Sequence, residues 1–200
     1  MKIDIEDVMF YMDAIRNSKD RDRTLESFWK GQIKSKLWLV NILEKKLKKE
    51  NLNIVIHGGW NGVLASLLFN SKLSISKIVS IDIDPSCRDI AFTINKRQEI
   101  EGRFQAVTQD MAEYKYYELP DVVINTSTEH VTDEKLKKWL SNIPKKTLVV
   151  VQSNNFFSLE EHINCVATPS QLADKFDFNN TKEYTLKLPQ YNRYMVIGTT

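Results

Sequence analysis

The chain has 200 residues, of which 42% are hydrophobic and 27% are charged, a balance typical of one globular unit with a full-sized core. Its 28 basic and 26 acidic residues leave a net charge of +2, so the composition does not require nucleic acid or an anionic membrane as a partner. The two cysteines, Cys87 and Cys165, lie far apart in sequence, which argues against a disulfide scaffold, a zinc knuckle or a CxxC redox centre.

The start of the chain carries acidic side chains where a secretory signal would carry an apolar run. No later window approaches the roughly eighteen apolar residues of a membrane span. We therefore expect a soluble, cytoplasmic protein with reduced thiols and no membrane partner.

Two helices are predicted before the first strand. Residues 4–17 form a short one, and residues 18–23 are interpreted as a polar connector. Residues 25–49 carry apolar side chains at spacings of three and four, which is typical of an amphipathic helix with one face in the core: Trp29, Ile33, Leu37, Val40, Leu43 and Leu47. Gln32 and Lys36 share a face of this helix that could meet a cofactor carboxylate or an acidic substrate, although Lys36 is more simply interpreted as a surface residue.

Beyond residue 53, short β-rich runs alternate with helical stretches. The predicted strands are 54–56, 78–83, 104–107, 122–125 and 148–152, and the predicted helices are 62–68, 86–98, 133–140 and 170–176. Such alternation indicates parallel strands joined by crossover helices. Two final strand-like runs, 183–188 and 194–198, have no helix between them, so they pair as an antiparallel hairpin or lie as neighbours across a short loop.

These elements predict a Rossmann-like, doubly wound α/β fold. Its sheet should be seven-stranded and mostly parallel, with an antiparallel last strand. We expect an N-terminal helical cap over residues 1–50 and a cofactor-binding domain over residues 51–200, packed as one compact unit.

The most informative stretch follows the first predicted strand, where the residues His57-Gly58-Gly59-Trp60-Asn61-Gly62 lead into a helix. The second predicted strand then reaches Asp82. Glycines let backbone amides approach a ligand, and a carboxylate in this position accepts hydrogen bonds from ribose hydroxyls. The order therefore predicts a nucleoside site.

Residues 50–200 resemble the class I S-adenosylmethionine-dependent methyltransferases, which share this order of helices and strands and the closing antiparallel strand. The resemblance implies S-adenosylmethionine as the cofactor, with the three glycines and Trp60 of the turn against its methionine part. Two positions depart from the family's first motif, since Ile56 stands where an acidic residue is customary and Trp60 replaces the middle glycine. Trp60 would lie over the methionine moiety, wall off the substrate or pack against the N-terminal helix.

The same resemblance implies further cofactor contacts. Asp82, with Ile83 beside it, would bind both ribose hydroxyls, whereas Asp84 is better interpreted as a turn or N-cap carboxylate. Asp110 and Met111 would contact the adenine, because an ionised carboxylate suits an exocyclic amine and a methionine suits the ring.

The fourth predicted strand should deliver the chemistry, because ligands of open α/β sheets lie beyond the carboxyl ends of the strands. Asn125 and Thr126 would contact the cofactor there. Glu129 and His130 are candidates for general acid–base catalysis or, alternatively, a helix cap and a surface residue. The chain has neither the Asp/Asn-Pro-Pro-aromatic tetrad of amino methyltransferases nor the Pro-Cys pair of cytosine-C5 enzymes at this point.

The three histidines follow the first, fourth and fifth predicted strands and should line one rim: His57, His130 and His162. A metal site that combines them with Glu129 and Glu161 is conceivable. None of the usual ligand spacings occurs, however, so we expect no metal.

These features favour methyl transfer to an acceptor that the sequence does not identify. A small molecule is the leading class, and protein or nucleic-acid acceptors stay open; Gln32, Asn154 and Tyr191 are the candidate substrate contacts. One alternative is an aminopropyl or aminocarboxypropyl transferase with the same cofactor pocket, which the loss of the acid at Ile56 keeps open. The other is a methyltransferase-like subunit that binds a partner without catalysis.

Overall fold

Three helices precede three parallel strands in the first of two structural units, which ends at Gln109. The structure is a computed structural model that describes residues 3–200. The elements of this unit, in chain order, are α1 (Ile5–Asn17), α2 (Arg21–Glu26), α3 (Lys30–Lys46), β1 (Leu52–His57), α4 (Val63–Phe69), β2 (Ile75–Asp82), α5 (Ser86–Ile94), α6 (Lys96–Ile100) and β3 (Phe104–Thr108). Strand β2 pairs in parallel with β1 and with β3, which confirms the three predicted strands.

Isoleucines occupy most of the buried positions of the first two strands, because a parallel strand is covered on both faces. Ile54 and Ile56 of β1 and Ile78 and Ile81 of β2 are at most 1% exposed. Fully burying side chains of this size contributes about 1.5–3 kcal/mol each. This core holds the carboxyl ends of β1 and β2 in place, and the predicted nucleoside-binding residues follow directly from them.

The second unit begins at Asp110 and contains the remaining strands. Its elements are a 3₁₀ turn (Met111–Glu113), β4 (Val122–Asn125), a 3₁₀ turn (Thr128–His130), α7 (Asp133–Asn142), β5 (Leu148–Asn154), α8 (Pro169–Ala173), β6 (Asn179–Lys187) and β7 (Asn192–Thr199). Strands β4 and β5 are parallel, and β7 is antiparallel to both β5 and β6. The closing antiparallel hairpin is therefore confirmed.

The strands form one seven-stranded sheet in the order β3-β2-β1-β4-β5-β7-β6. This order confirms the predicted Rossmann-like, mostly parallel sheet with an antiparallel last strand. Strand β6 is one of its two edge strands, and most of the side chains of β6 are exposed. The pairing of β6 with β7 is irregular between Asn179 and Lys182.

Two N-terminal predictions are wrong. The side chain of Asp20 accepts a hydrogen bond from the backbone N–H of Arg23 at 3.0 Å, so a helix, α2, begins within the predicted polar connector. The predicted helix over 25–49 is interrupted, because α3 begins only at Lys30 and ends at Lys46. Trp29 lies just before α3 with 72% of its surface exposed and is not a core residue.

The predicted helix over 86–98 is also divided, into α5 and α6. They meet at Asn95, whose side-chain amide donates to the carbonyl of Ala91 at 2.9 Å and to that of Gly62 at 3.1 Å. A side chain that bonds to the backbone in this way competes with the regular helix. Asn95 thereby ends α5 and ties it to the glycine turn.

Three other expectations concern the chain as a whole. The division into a cap over residues 1–50 and a domain over residues 51–200 stays a prediction. Both cysteines are free thiols, Cys87 buried and Cys165 half-buried. None of the helices in residues 3–200 has the length and hydropathy of a bilayer-crossing segment.

Candidate functional site

The glycine turn joins β1 to α4 through left-handed backbone conformations. Gly58 and Gly62 have φ angles of 63° and 75°, which glycine adopts without steric cost. Gly59 is needed for space, because an added Cβ atom would lie 2.0 Å from the hydroxyl oxygen of Ser80 on β2. Each glycine of the predicted motif therefore has a structural requirement of its own.

Trp60 adopts a left-handed conformation without being glycine, with φ at 47°. Such a conformation costs about 1–3 kcal/mol and persists only where the surroundings enforce it. Here Asp82 does so, because its Oδ2 accepts the backbone N–H of Trp60 at 2.8 Å. Trp60 is half-buried and lies beside Asp82 in a small recess of the first unit.

Asp82 ends β2 and bonds to two backbone amides. Besides Trp60, it accepts the N–H of Asp84 through Oδ1 at 3.0 Å. An ionised carboxylate offers about four lone-pair positions, so two are left for a ligand. Ile83 follows it with 62% of its surface exposed, since β2 ends one residue earlier than predicted.

Asp84 is the turn carboxylate that the sequence predicted. It accepts the N–H of Ser86 at 2.8 Å and pairs with the guanidinium of Arg23 at 2.6 Å. Hydrogen bonds from Ser86, and then the pairing with Arg23, lower the pKa of Asp84. Burial, together with the charges of Asp82 and Asp84, raises the pKa of the neighbouring Cys87 to about 12, so this thiol stays protonated at neutral pH.

In the second unit, each of the two predicted adenine contacts, Asp110 and Met111, takes part in hydrogen bonds with other residues. Asp110 caps the first 3₁₀ turn by accepting the N–H of Ala112 at 2.9 Å, and it pairs with Lys135 at 2.6 Å. Burial opposes ionisation of Asp110, but the bonds from Lys135 and Ala112 outweigh it and lower the pKa. The side-chain amide of Asn125 lies 3.3 Å from the sulfur of Met111.

Thr126, Glu129 and Asn154, which were predicted site residues, belong to one hydrogen-bond network around Arg193. The role of Arg193 was not predicted from the sequence. The guanidinium donates to the carboxylate of Glu129 and to the carbonyl of Thr126. The amide of Asn154 donates to the same Glu129 oxygen at 2.8 Å. Asn154 is opposite Arg193 in the pairing of β5 with β7. The network holds Glu129 in a site where the residue is only 3% exposed.

His130 and His162 lie close together, as predicted. Their ring centroids are 4.8 Å apart, and each Nδ1 contacts a backbone carbonyl, that of Glu161 at 3.0 Å and that of Phe156 at 2.9 Å. His57 does not line an accessible rim, so this part of the prediction is wrong. It is the last residue of β1 and fully buried, and burial lowers its pKa to about 3.

The candidate substrate contacts fall in different units. Gln32 lies in the first, where its side-chain oxygen accepts from Lys36 at 2.6 Å. Lys36 is only 8% exposed, so its interpretation as an ordinary surface residue is wrong. In the second unit, the ring of Tyr191 stacks on Phe156 with centroids 5.4 Å apart, and Asn154 is committed to Glu129.

No protein-family model and no curated protein sequence matches the chain. Solved structures do match its fold. The N-methyltransferase NodS from Bradyrhizobium japonicum WM9, in complex with S-adenosyl-L-homocysteine, has a TM-score of 0.69 at 10% identity, covering 96% of this chain and 98% of NodS. The pyocyanin biosynthetic protein PhzM has a TM-score of 0.67 at 15% identity, covering 95% of this chain and 62% of PhzM.

A third match is a mutant of MtNAS in complex with S-adenosylmethionine, with a TM-score of 0.60 at 13% identity. It covers 97% of this chain and 72% of MtNAS. These identities are low, and the likeness is one of fold. The chain has the class I methyltransferase fold, as its strand order also indicates.

Proposed function

We propose that this protein binds S-adenosylmethionine and transfers its methyl group to an acceptor, with a small molecule as the leading class. The observation that carries the proposal is the pairing of the glycine turn with Asp82. The carboxylate enforces the left-handed Trp60 and keeps lone pairs for a ligand, which is what a ribose diol requires. The likeness to structures with bound S-adenosyl compounds supports the same assignment.

The residues present fit this cofactor. Asp82 would accept hydrogen bonds from the ribose hydroxyls, and the turn from Gly58 to Gly62 would bring backbone amides close to the methionine part. Asp110, ionised and fixed by Lys135, would accept from the adenine amine, with Met111 against the ring. When bound, the sulfonium cofactor supplies an activated methyl group, and the protein's own task is to position the acceptor and manage its proton.

We assign removal of the acceptor's proton to Glu129 and His130, in the turn that follows β4. Glu129 is buried and bonded to Arg193 and Asn154, so its carboxylate is held in a fixed orientation beside His130. His130, the next residue, is exposed and has one ring nitrogen directed away from its carbonyl partner. Together they form the acid–base candidate of the site.

Calorimetric titration of the full chain with S-adenosylmethionine and S-adenosylhomocysteine tests the cofactor assignment. Asp82→Asn retains an acceptor oxygen but removes the charge, and we expect it to weaken binding by about 10–100-fold, because hydrogen bonds to charged groups contribute about 1.5–3 kcal/mol. Asp89→Asn, which removes an exposed carboxylate from α5, is the matched control and should bind as the parent does. Absence of heat with the unmodified chain at millimolar ligand would contradict the proposal.

Product mass distinguishes the transferred group. With methyl-deuterated cofactor and an extract of small metabolites, methyl transfer adds one labelled methyl to an acceptor. Transfer of an aminocarboxypropyl fragment would add a larger, unlabelled mass and would favour that alternative. An aminopropyl fragment can come only from decarboxylated S-adenosylmethionine, so a parallel reaction with that compound tests for it. Binding of the cofactor without any labelled product, combined with recovery of a stable partner, would favour the non-catalytic subunit.

A further inference from the structure

Glu129, His130 and His162 lie together in the second unit, and we propose that they form a binding site for one divalent transition-metal ion. One candidate ligand atom from each residue lies within 4.8 Å of the other two. The residues come from the 3₁₀ turn after β4 and from the loop after β5. Sequence spacing did not indicate the site because His162 is far along the chain from the other two.

The hydrogen bonds of the two histidines fix which ring nitrogen faces a ligand. A backbone carbonyl only accepts, so the Nδ1 atoms facing Glu161 and Phe156 must carry the protons. Each neutral ring then has its lone pair on Nε2. Histidines that bind metals typically donate their other N–H to a carbonyl or carboxylate in this way, and both rings already have such a partner.

Glu129 supplies the second, independent observation. Its Oε1 accepts from Arg193 and Asn154, whereas Oε2 is buried and has no hydrogen-bond partner among the described residues. A buried carboxylate oxygen left unsatisfied is costly. A cation at the His130–His162 pair would satisfy it, and the bonds to Oε1 would hold the carboxylate in a fixed orientation.

The donor set indicates the class of ion. Two imidazole nitrogens and one carboxylate oxygen suit Zn²⁺, Mn²⁺, Fe²⁺ and Co²⁺, whereas Mg²⁺ and Ca²⁺ prefer oxygen ligands alone. Three protein ligands leave at least one coordination position for water or a substrate oxygen. His130 is exposed and His162 half-buried, so that position faces solvent.

The metal site does not depend on cofactor binding, but its use would refine the proposed function. A bound ion would make His130 a ligand, and the ion would then hold an acceptor oxygen and favour its deprotonation. This refinement, which rests on the proposed methyl transfer, predicts an acceptor with a hydroxyl group.

The test is a titration of Co²⁺, and separately Zn²⁺, into the chelator-treated full chain without S-adenosylmethionine. We expect one ion per chain by calorimetry and a visible Co²⁺ absorption band that reports nitrogen ligation. His130→Ala and His162→Ala should each weaken binding at least tenfold. Glu160→Ala is the matched control, because it removes an exposed carboxylate from the same loop, and its affinity should change less than twofold.

The His130 variant is the decisive one, since its side chain is exposed and its loss leaves the fold intact, as circular dichroism would verify. Absence of stoichiometric binding would overturn the site, and so would equal affinities for the parent and both histidine variants. Tighter binding of Mg²⁺ than of Co²⁺ would also overturn it. Because no cofactor is present, failure of this experiment leaves the S-adenosylmethionine assignment untouched.

Discussion

The glycine turn of the first unit and the Arg193 network of the second fix the positions of their residues by different means. The turn is built from backbone geometry over a short stretch of chain, with Asp82 holding Trp60 in place. The network is built from side-chain charges, and its central pair joins residues 64 positions apart. The first kind of site depends on space and φ angles, and the second on keeping every buried charge matched.

The largest change in stability is expected from a substitution of Arg193. Replacing it by methionine leaves the Glu129 carboxylate buried and unpaired, and removing one partner of a buried ion pair costs about 3–5 kcal/mol. We expect that loss in the free energy of unfolding measured with urea. The double variant Arg193→Met/Glu129→Leu should recover most of it, because an apolar pair of similar volume replaces the ions.

The matched control is the pair between Arg23 and Asp84, whose side chains are 42% and 31% exposed. Exposed pairs contribute only about 0–1 kcal/mol, so Arg23→Ala should change stability very little. Equal losses for the Arg193 and Arg23 variants would remove the distinction between the two regions.

The glycine turn should fail through space rather than charge. At Gly62 an added Cβ would lie 2.7 Å from the side-chain amide of Asn95 and 3.0 Å from the Cβ of Ala91, and its φ is 75°. We expect Gly62→Ala to lower the free energy of unfolding by about 2–4 kcal/mol, from backbone strain and overpacking together. Gly102 has a φ of 72° but open space around it, so Gly102→Ala should cost only the strain, about 1–2 kcal/mol.

Protonation of His57 couples stability to pH, and near neutral pH this is the smallest of the expected effects on the free energy of unfolding. The folded-state pKa of this histidine, about 3, lies below the ordinary value of 6.5, so the folded chain keeps the ring neutral where the unfolded chain takes up a proton. Stability should therefore be full above pH 6.5 and fall as the pH drops towards 3, by up to about 1.4 kcal/mol per pH unit. Urea midpoints at pH 7, 6 and 5 measure this slope, and His57→Gln should flatten it; an unchanged slope in the variant would assign it to other groups.

The fold was largely predictable because its signals are local. Apolar runs such as Ile54–Ile56 and the order of strands and helices depend on neighbouring residues. The left-handed φ angles of Gly58 and Gly62 and the bond from Ser86 to Asp84 are also local. The errors occurred where tertiary contacts decide. Trp29 fits the helical apolar pattern yet lies exposed before α3, and Asn95 divides a continuous helical pattern by bonding to a distant carbonyl.

The Arg193 network of the second unit was only partly predictable for the same reason. Thr126, Glu129 and Asn154 were named from their positions after strands, but the residue that joins them was not. One feature of the sequence did indicate a role for Arg193. It is the second residue of β7 and is followed directly by buried residues, and a charged side chain in such a position needs an opposite charge or a hydrogen-bond acceptor. Its partner could not be identified until the pairing of β5 with β7 placed Asn154 opposite Arg193.

The outer strand β6 has a consequence for how copies of this chain meet. The free edge of an outer strand can pair with a strand of another molecule, and proteins discourage such pairing with charged side chains and irregular strand geometry. Lys182, Glu183 and Lys187 lie along β6, and its pairing slips near Asn180. Edge-to-edge pairing of sheets from two molecules is therefore discouraged at β6. Concentrated samples should resist fibrous aggregation that begins at this edge.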